Sequence, residues 1–189
     1  MKKIVLFASG NGTNAEEIIR CFNKSSLATV TNVLTNNSDA KVVEKAKKFE
    51  VNTLIFNKTE LNDGFVLKEL NKIKPDLIVL AGFLLKFPEH IIEAYSNKII
   101  NIHPALLPNY GGKGMYGMNV HRAIFDNKDV ETGISIHYVT PNYDEGAIIF
   151  QKSVTILDCK SPEEIAEKVH QLEHKYFPEV IKKLITQNS

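Results

Sequence analysis

The chain has 189 residues, 43% hydrophobic and 24% charged, the profile of one ordinary soluble globular domain with enough length to bury a core. Its 23 basic and 22 acidic residues leave a net charge of +1, which argues against non-specific nucleic-acid or membrane-surface binding as its business. Two cysteines, Cys21 and Cys159, are too few for a disulfide framework and fit a reducing, cytoplasmic setting, and no run approaches the ~20 apolar residues of a membrane helix.

Met1-Lys2-Lys3 and the apolar residues 4–8 mimic a secretory leader. The run is shorter than the ~7–15 residues of a leader core, and Ser9-Gly10-Asn11-Gly12 follows at once, so a first buried strand is predicted. A helix is expected over 14–22 and a strand over 30–34, ended by Thr35-Asn36-Asn37-Ser38. Asp39 is placed to cap a helix reaching residue 49. A short strand at 53–56, a helix over 60–73 ended by Lys74-Pro75, and a buried strand at 77–80 come next. Pro88 opens a helix to about residue 95, and a strand covers 98–102.

The later part reads differently. Residues 132–140 alternate, with Ile134, Ile136 and Tyr138 on one side, and a loop at 141–146 leads to a second strand over 147–156. Ser161, Pro162 and Glu164 stand at N-cap, N1 and N3 of a final helix carrying Ile165, Val169, Leu172, Tyr176 and Val180 on one stripe. Pro178 is expected to kink or interrupt it. The whole predicts an α/β, Rossmann-like three-layer fold with a mostly parallel central sheet and a late antiparallel strand pair, as one domain over 1–189.

Three segments carry chemistry. Ser9-Gly10-Asn11-Gly12-Thr13-Asn14 joins the first strand to the first helix, where glycines and a helix N-terminus suit a phosphate. It lacks the third glycine of a dinucleotide fingerprint and the Gly-Lys-Ser/Thr of a P-loop. Taken alone it serves equally as a plain Gly-Asn turn; its place at the carboxyl edge of the sheet favours a ligand. In Ile99-Ile100-Asn101-Ile102-His103-Pro104, Asn101 and His103 share one side of a strand while Ile100 and Ile102 take the other. Pro104 ends that strand, so an amide donor and a titratable imidazole sit together at its carboxyl end, an arrangement suited to acyl transfer. Asp144, in the loop between the late strands, is a carboxylate that would hold His103 as imidazolium and raise its pKa; by itself, an Asp in a turn is unremarkable.

Glu173 shares the inward stripe of the last helix and needs a partner, either a ligand or an internal cation. His170 to His174 spells an inverted zinc-protease motif with no third ligand in context, so both histidines are read as solvated and no metal is expected. His90, His121 and His137 form no metal spacing. The glycine-dense run from Gly111 to Gly117 serves either as a lid or as a surface loop.

Together these motifs resemble the folate-dependent formyltransferases nearly end to end. The markers are Ser9-Gly10-Asn11-Gly12-Thr13-Asn14, Pro75-Asp76 with Leu80-Ala81-Gly82-Phe83, Asn101-Ile102-His103-Pro104-Ala105-Leu106-Leu107-Pro108, His137, Asp144-Glu145-Gly146 and Glu173-His174. The loop sequence is similar to the branch whose acceptor is phosphoribosylglycinamide, and the resemblance implies formyl transfer from 10-formyltetrahydrofolate to that amine in purine (IMP) biosynthesis. It implies that Asn101 stabilises the oxyanion, His103 carries protons as general acid, and Asp144 orients His103. Gly12, Thr13 and Asn14 would hold the phosphate and Glu173 the ribose hydroxyls. The folate would lie against Leu84, Leu85, Lys86, Phe87, Asn101 and Thr140. It implies small-molecule substrates, no nucleic acid, no membrane, and a monomer or homodimer. Departures from the family pattern are Leu84-Leu85 in place of a Met-Arg type pair, no clear counterpart near Lys58-Thr59-Glu60 to the basic residue often found between strand three and the next helix, a longer loop adding residues 113–118, and Glu145 where a glycine is expected.

The alternatives are a formyltetrahydrofolate deformylase-like hydrolase, which usually carries an extra N-terminal domain, and a tRNA-directed relative, which needs a second domain that 189 residues do not accommodate. A sugar-nucleotide formyltransferase is a weaker option. A non-catalytic phosphate-ligand module would keep the first loop without needing Asn101, His103 and Asp144 together.

Overall fold

The computed structural model describes residues 1–187; Asn188 and Ser189, the last two residues of the expected domain, lie outside the described residues. Strands β1 (Lys2–Phe7), β2 (Ala28–Thr35), β3 (Asn52–Ile55), β4 (Leu77–Leu80) and β5 (Ile99–His103) run parallel, and β6 (Glu131–Tyr138) and β7 (Ile148–Thr155) add antiparallel, in the order β3-β2-β1-β4-β5-β6-β7. The helices are α1 (Thr13–Phe22), α2 (Lys41–Lys48), α3 (Lys58–Asn62), α4 (Phe65–Ile73), α5 (Glu89–Ala94), α6 (Met118–Asp126) and α7 (Pro162–Gln187).

The alternation of side chains along the strands explains the layering. Ile4, Leu6 and Ala8, with Val79, Ile100 and Ile102, join one apolar cluster with residues of α1, α2, α6 and α7. Val5, Phe7, Ile78, Leu80 and Ile99 join a second, with residues of α3, α4 and α5. Both faces of the parallel sheet are therefore covered, which is why those strands read as continuous apolar runs. β1 lies between β2 and β4, so the chain order reverses at β1, and the crevice beyond the carboxyl ends of β1 and β4 is where such sheets take ligands.

Four sequence expectations need correction. The helix over 60–73 is two helices, because Gly64 (φ 94) breaks the run between α3 and α4. Asn57, not Glu60, starts it, with the Asn57 and Glu60 side chains forming a reciprocal capping box. Asp39 does not cap α2: Asn37 Oδ1 accepts from the Asp39 N–H, the N-cap falls on Ala40, and the Val42 N–H donates to the Gly10 carbonyl instead. Pro178 leaves α7 unbroken, seated on its buried face beside Phe177, Val180 and Ile181. Ser161 Oγ does accept the Glu164 N–H, as its N-cap position implies.

Candidate active site

β1 delivers the chain to the carboxyl edge, where Gly12 (φ 66) serves as N-cap of α1 with no side-chain cap. A Cβ at Gly12 would lie 2.4 Å from Val42 Cγ2, so the left-handed turn and the close approach of α2 both demand glycine. The uncapped N-terminus of α1 borders a cavity lined by Gly10, Asn11, Gly12, Thr13 and Asn14, and its positive potential favours an anion there. Ser9 ties this loop to its neighbours. Its N–H donates to the Gly82 carbonyl (3.0 Å), its Oγ donates to Asn36 Oδ1 (2.7 Å), and the same Oγ accepts the Leu84 N–H (3.0 Å).

Across the sheet, β5 places Asn101 opposite His137 of β6, and His103 opposite Ser135. His103 is 3% exposed, and its Nε2–H donates to the Tyr110 carbonyl at 2.7 Å. A carbonyl only accepts, so this contact fixes the tautomer and leaves Nδ1 towards Asp144 Oδ2, 3.6 Å away. His137 is fixed in the opposite sense: its Nδ1–H donates to the Tyr138 carbonyl (2.8 Å), and Nε2 accepts from Asn101 Nδ2 (3.2 Å). The Asn101 amide is thereby turned so that its second N–H remains for a ligand. Asp144 accepts the Gly112 N–H at 2.9 Å on Oδ2, and its Oδ1 lies 3.6 Å from His137 Nε2.

The electrostatics differ from the sequence expectation in one respect. Asp144 and the Tyr110 carbonyl do pull the His103 pKa upwards, but burial outweighs them, and His103 sits below its ordinary value. The free site therefore holds a neutral imidazole at neutral pH. Burial pushes the Asp144 carboxyl up, yet the closeness of the His137 ring, the Gly112 N–H and the His103 ring overcome it and keep the carboxyl below the usual range.

The far wall comes from α7 and α6. Glu173 is 5% exposed and accepts from Asn14 Nδ2 at 2.9 Å, which ties α7 to the first loop, and burial raises its pKa. The partner that its inward position required is thus an amide. Asn14 Oδ1 is buried without a hydrogen-bond partner among the described residues, as is His121 Nδ1. His121 is 2% exposed, with its ring 6.4 Å from that of His170. Burial, followed by the nearby His170 and His103, depresses its pKa to about 4. His170 is exposed, whereas His174 is half-buried with Nε2 enclosed and unpartnered, which departs from the solvated position expected for it. Among the described residues no group of His, Cys, Asp and Glu is placed to hold a metal ion.

Asn14, Asn101, His103, His121, His137, Asp144, His170 and Glu173 border one cavity of about 650 Å³. It is also lined by Leu84, Leu85, Lys86 and Phe87 beyond β4 and by Thr140 to Asp144. Leu84 lines the cavity and is 51% exposed, while Phe87 turns its ring into the core against Phe7 at 5.0 Å.

The family model for formyl transferases matches residues 2–181. The chain belongs to the formyl transferase family. It is 37% identical over 187 residues to the chloroplastic phosphoribosylglycinamide formyltransferase of Arabidopsis thaliana, covering 95% of this chain and 64% of that protein, so it spans less than two thirds of the plant relative. It is 34% identical over 196 residues to the phosphoribosylglycinamide formyltransferase of Bacillus subtilis, covering 100% of this chain and 97% of the relative. The crystal structure of phosphoribosylglycinamide formyltransferase from Bacillus halodurans superposes with a TM-score of 0.88 at 31% identity, covering 100% of this chain and 97% of that one.

In this formyl transferase, the candidate site residues Gly12, Thr13, Asn14, Leu84, Leu85, Lys86, Phe87, Asn101, His103, Thr140, Asp144 and Glu173 all border this cavity. The glycine-dense run also lines it, through Gly112 to Gly117, and touches Asp144. Three contributors were given no role from the sequence. The Tyr110 carbonyl has no sequence signal, being backbone. His137 stood in a strand that was predicted, and its register opposite Asn101 was the signal available. His121 lies on α6, an element not foreseen because the glycines before it masked the helix start.

Proposed function

We propose that this formyl transferase moves the formyl group of 10-formyltetrahydrofolate to the amine of 5-phosphoribosylglycinamide, giving the formylated ribonucleotide and tetrahydrofolate in purine biosynthesis. One observation carries this reading: a single cavity is bordered by an anion-suited helix N-terminus, by a largely apolar segment, and by Asn101, His103 and Asp144. The names of its relatives support it.

The geometry suggests the steps. The phosphate rests on Gly12, Thr13 and Asn14, and Glu173 meets the ribose hydroxyls. Leu84, Leu85, Lys86, Phe87 and Thr140 accept the folate, the largely apolar segment suiting a flat ring. The acceptor amine attacks the formyl carbon, a C–N bond forms, and the carbonyl oxygen becomes an oxyanion stabilised by the free Asn101 N–H. His103 Nδ1, the nitrogen left open by Tyr110, takes the proton lost by the amine, and Asp144 stabilises the imidazolium so formed. Collapse breaks the bond to the folate nitrogen, which receives that proton from His103. The depressed pKa of His103 suits a group that begins neutral and gives its proton up readily.

Residues 1–189 acting as one catalytic domain, as a monomer or homodimer in the cytoplasm without nucleic acid, complete the proposal. Among the described residues no helix is long and apolar enough to cross a membrane. Following the absorbance of 10-formyltetrahydrofolate with and without the ribonucleotide tests the reading. Amine-dependent turnover is expected. Turnover independent of any amine would instead mean a hydrolase, and none at all a binding module.

A further inference from the structure

Ser135 lies beside His103 in the sheet and is fully buried, yet it takes no part in the chemistry derived above. Its Oγ accepts the Leu107 N–H at 2.9 Å, donates to the Ala105 carbonyl at 2.7 Å, and accepts from Gln151 Nε2 at 2.8 Å. Gln151 Nε2 also donates to the Leu107 carbonyl at 3.0 Å. One hydroxyl and one amide thus satisfy the Ala105 carbonyl and both backbone groups of Leu107, in the segment that leaves His103 and leads to Tyr110.

That segment has a task. The Tyr110 carbonyl meets His103 Nε2, while Tyr110 itself stands at φ 55, a left-handed conformation costly for a bulky residue. Its hydroxyl is anchored at the other end by donating to Asp129 Oδ2 (2.6 Å) and accepting from Asn127 Nδ2 (2.9 Å). The segment is thus held at both ends, by Ser135 and Gln151 on one side and by Asp129 and Asn127 on the other. Gly133 shows how closely the segment is docked on β6: a Cβ there would meet Leu106 Cδ2 at 2.8 Å and the Lys152 carbonyl at 2.0 Å.

We propose that Ser135, with Gln151, is a positioning residue of the reaction: it latches the Ala105–Leu107 backbone so that the Tyr110 carbonyl keeps the His103 proton on Nε2 and leaves Nδ1 for the substrate. This rests on the proposed function for its consequence in turnover, although the tautomer itself does not depend on that reading. The groups facing His103 are Asp144, His137 of β6, His121 of α6 and the Tyr110 carbonyl. Of these, the carbonyl is the one the latch controls, and its hydrogen bond raises the His103 pKa.

The test is ¹⁵N NMR of the histidine imidazoles in wild type and Ser135→Ala across pH, together with steady-state kinetics. Wild type is expected to carry the neutral-state proton of His103 on Nε2. In Ser135→Ala both tautomers are expected, with a titration midpoint shifted to lower pH. kcat should fall about tenfold or more while KM for both substrates changes less than about twofold, the pattern of a misaligned reacting group. Ser135→Thr, which keeps the hydroxyl, should restore the Nε2 tautomer. If Ser135→Ala does not fold, Gln151→Leu removes half of the latch and should move tautomer and kcat in the same direction. A wild-type proton on Nδ1, or a folded latch variant with wild-type tautomer and midpoint, would overturn the proposal. Absence of amine-dependent turnover in wild type would sink the proposed function alone, since the NMR readout needs no turnover.

Discussion

Replacing His121 by Gln should flatten the acid side of the stability profile. His121 is 2% exposed and neutral in the fold, with a pKa near 4 against an ordinary value of 6.5. A histidine with a depressed folded-state pKa binds its proton more readily when unfolded. Stability therefore starts to fall as pH drops through 6.5 and stops falling below about 4. At 1.36 kcal/mol per pKa unit the full loss is about 3 kcal/mol, of which roughly 2.5 kcal/mol has gone by about pH 4.5. Urea unfolding followed by circular dichroism at about pH 7.5 and about pH 4.5, in wild type and His121→Gln, measures it. Acidic and basic groups shared by the two proteins cancel in the comparison. The variant should lose less stability than wild type between the two conditions, by roughly that 2.5 kcal/mol. Equal losses would mean that His121 is not held neutral, and the account of the buried α6 wall would be wrong.

Other substitutions probe the site and the core. Asn101→Ala should cut kcat by about 10²–10³-fold with little change in melting temperature, the scale for one lost oxyanion donor, and near-normal turnover would remove Asn101 from that role. Gly12→Ala forces a Cβ into Val42 at a left-handed φ, so both the melting temperature and the affinity for the phosphate-bearing substrate should fall; an unchanged KM for it would refute the cradle. Phe7→Ala empties the space between Phe56, Phe83 and Phe87, whose ring centroids lie 5.0–5.9 Å from that of Phe7. About 3–5 kcal/mol of stability should go, read from the urea midpoint, and a loss under about 1 kcal/mol would contradict the packing.

The legible parts of this molecule were those governed by local rules. The four apolar residues Leu77, Ile78, Val79 and Leu80 mark β4 to the residue, and Ser161 with Pro162 marks the start of α7. Asn101 and His103 could be placed on one side of β5 because side chains alternate in any strand. What escaped depends on partners distant in sequence. Asp39 yielded the capping of α2 to the carbonyl of Gly10, and the pKa of His103 was misjudged because burial in the folded chain outweighs the pull of Asp144. Gly64 was read as part of one helix over 60–73, and the structure uses it as the break between α3 and α4.

The alternation in β5 has a consequence for folding as well. Ile100 and Ile102 belong to the α1/α7 side of the sheet, and Asn101 and His103 open on the cavity side. A strand slipped by one residue against its neighbours would exchange the two sets, burying an amide and an imidazole away from Tyr110 and His137. Each unsatisfied group costs about 1–3 kcal/mol, whereas exchanging isoleucine for isoleucine would cost almost nothing. The pair that meets the substrate therefore also proofreads the assembly of the sheet, and an all-apolar β5 would lose its catalyst and its sense of register together.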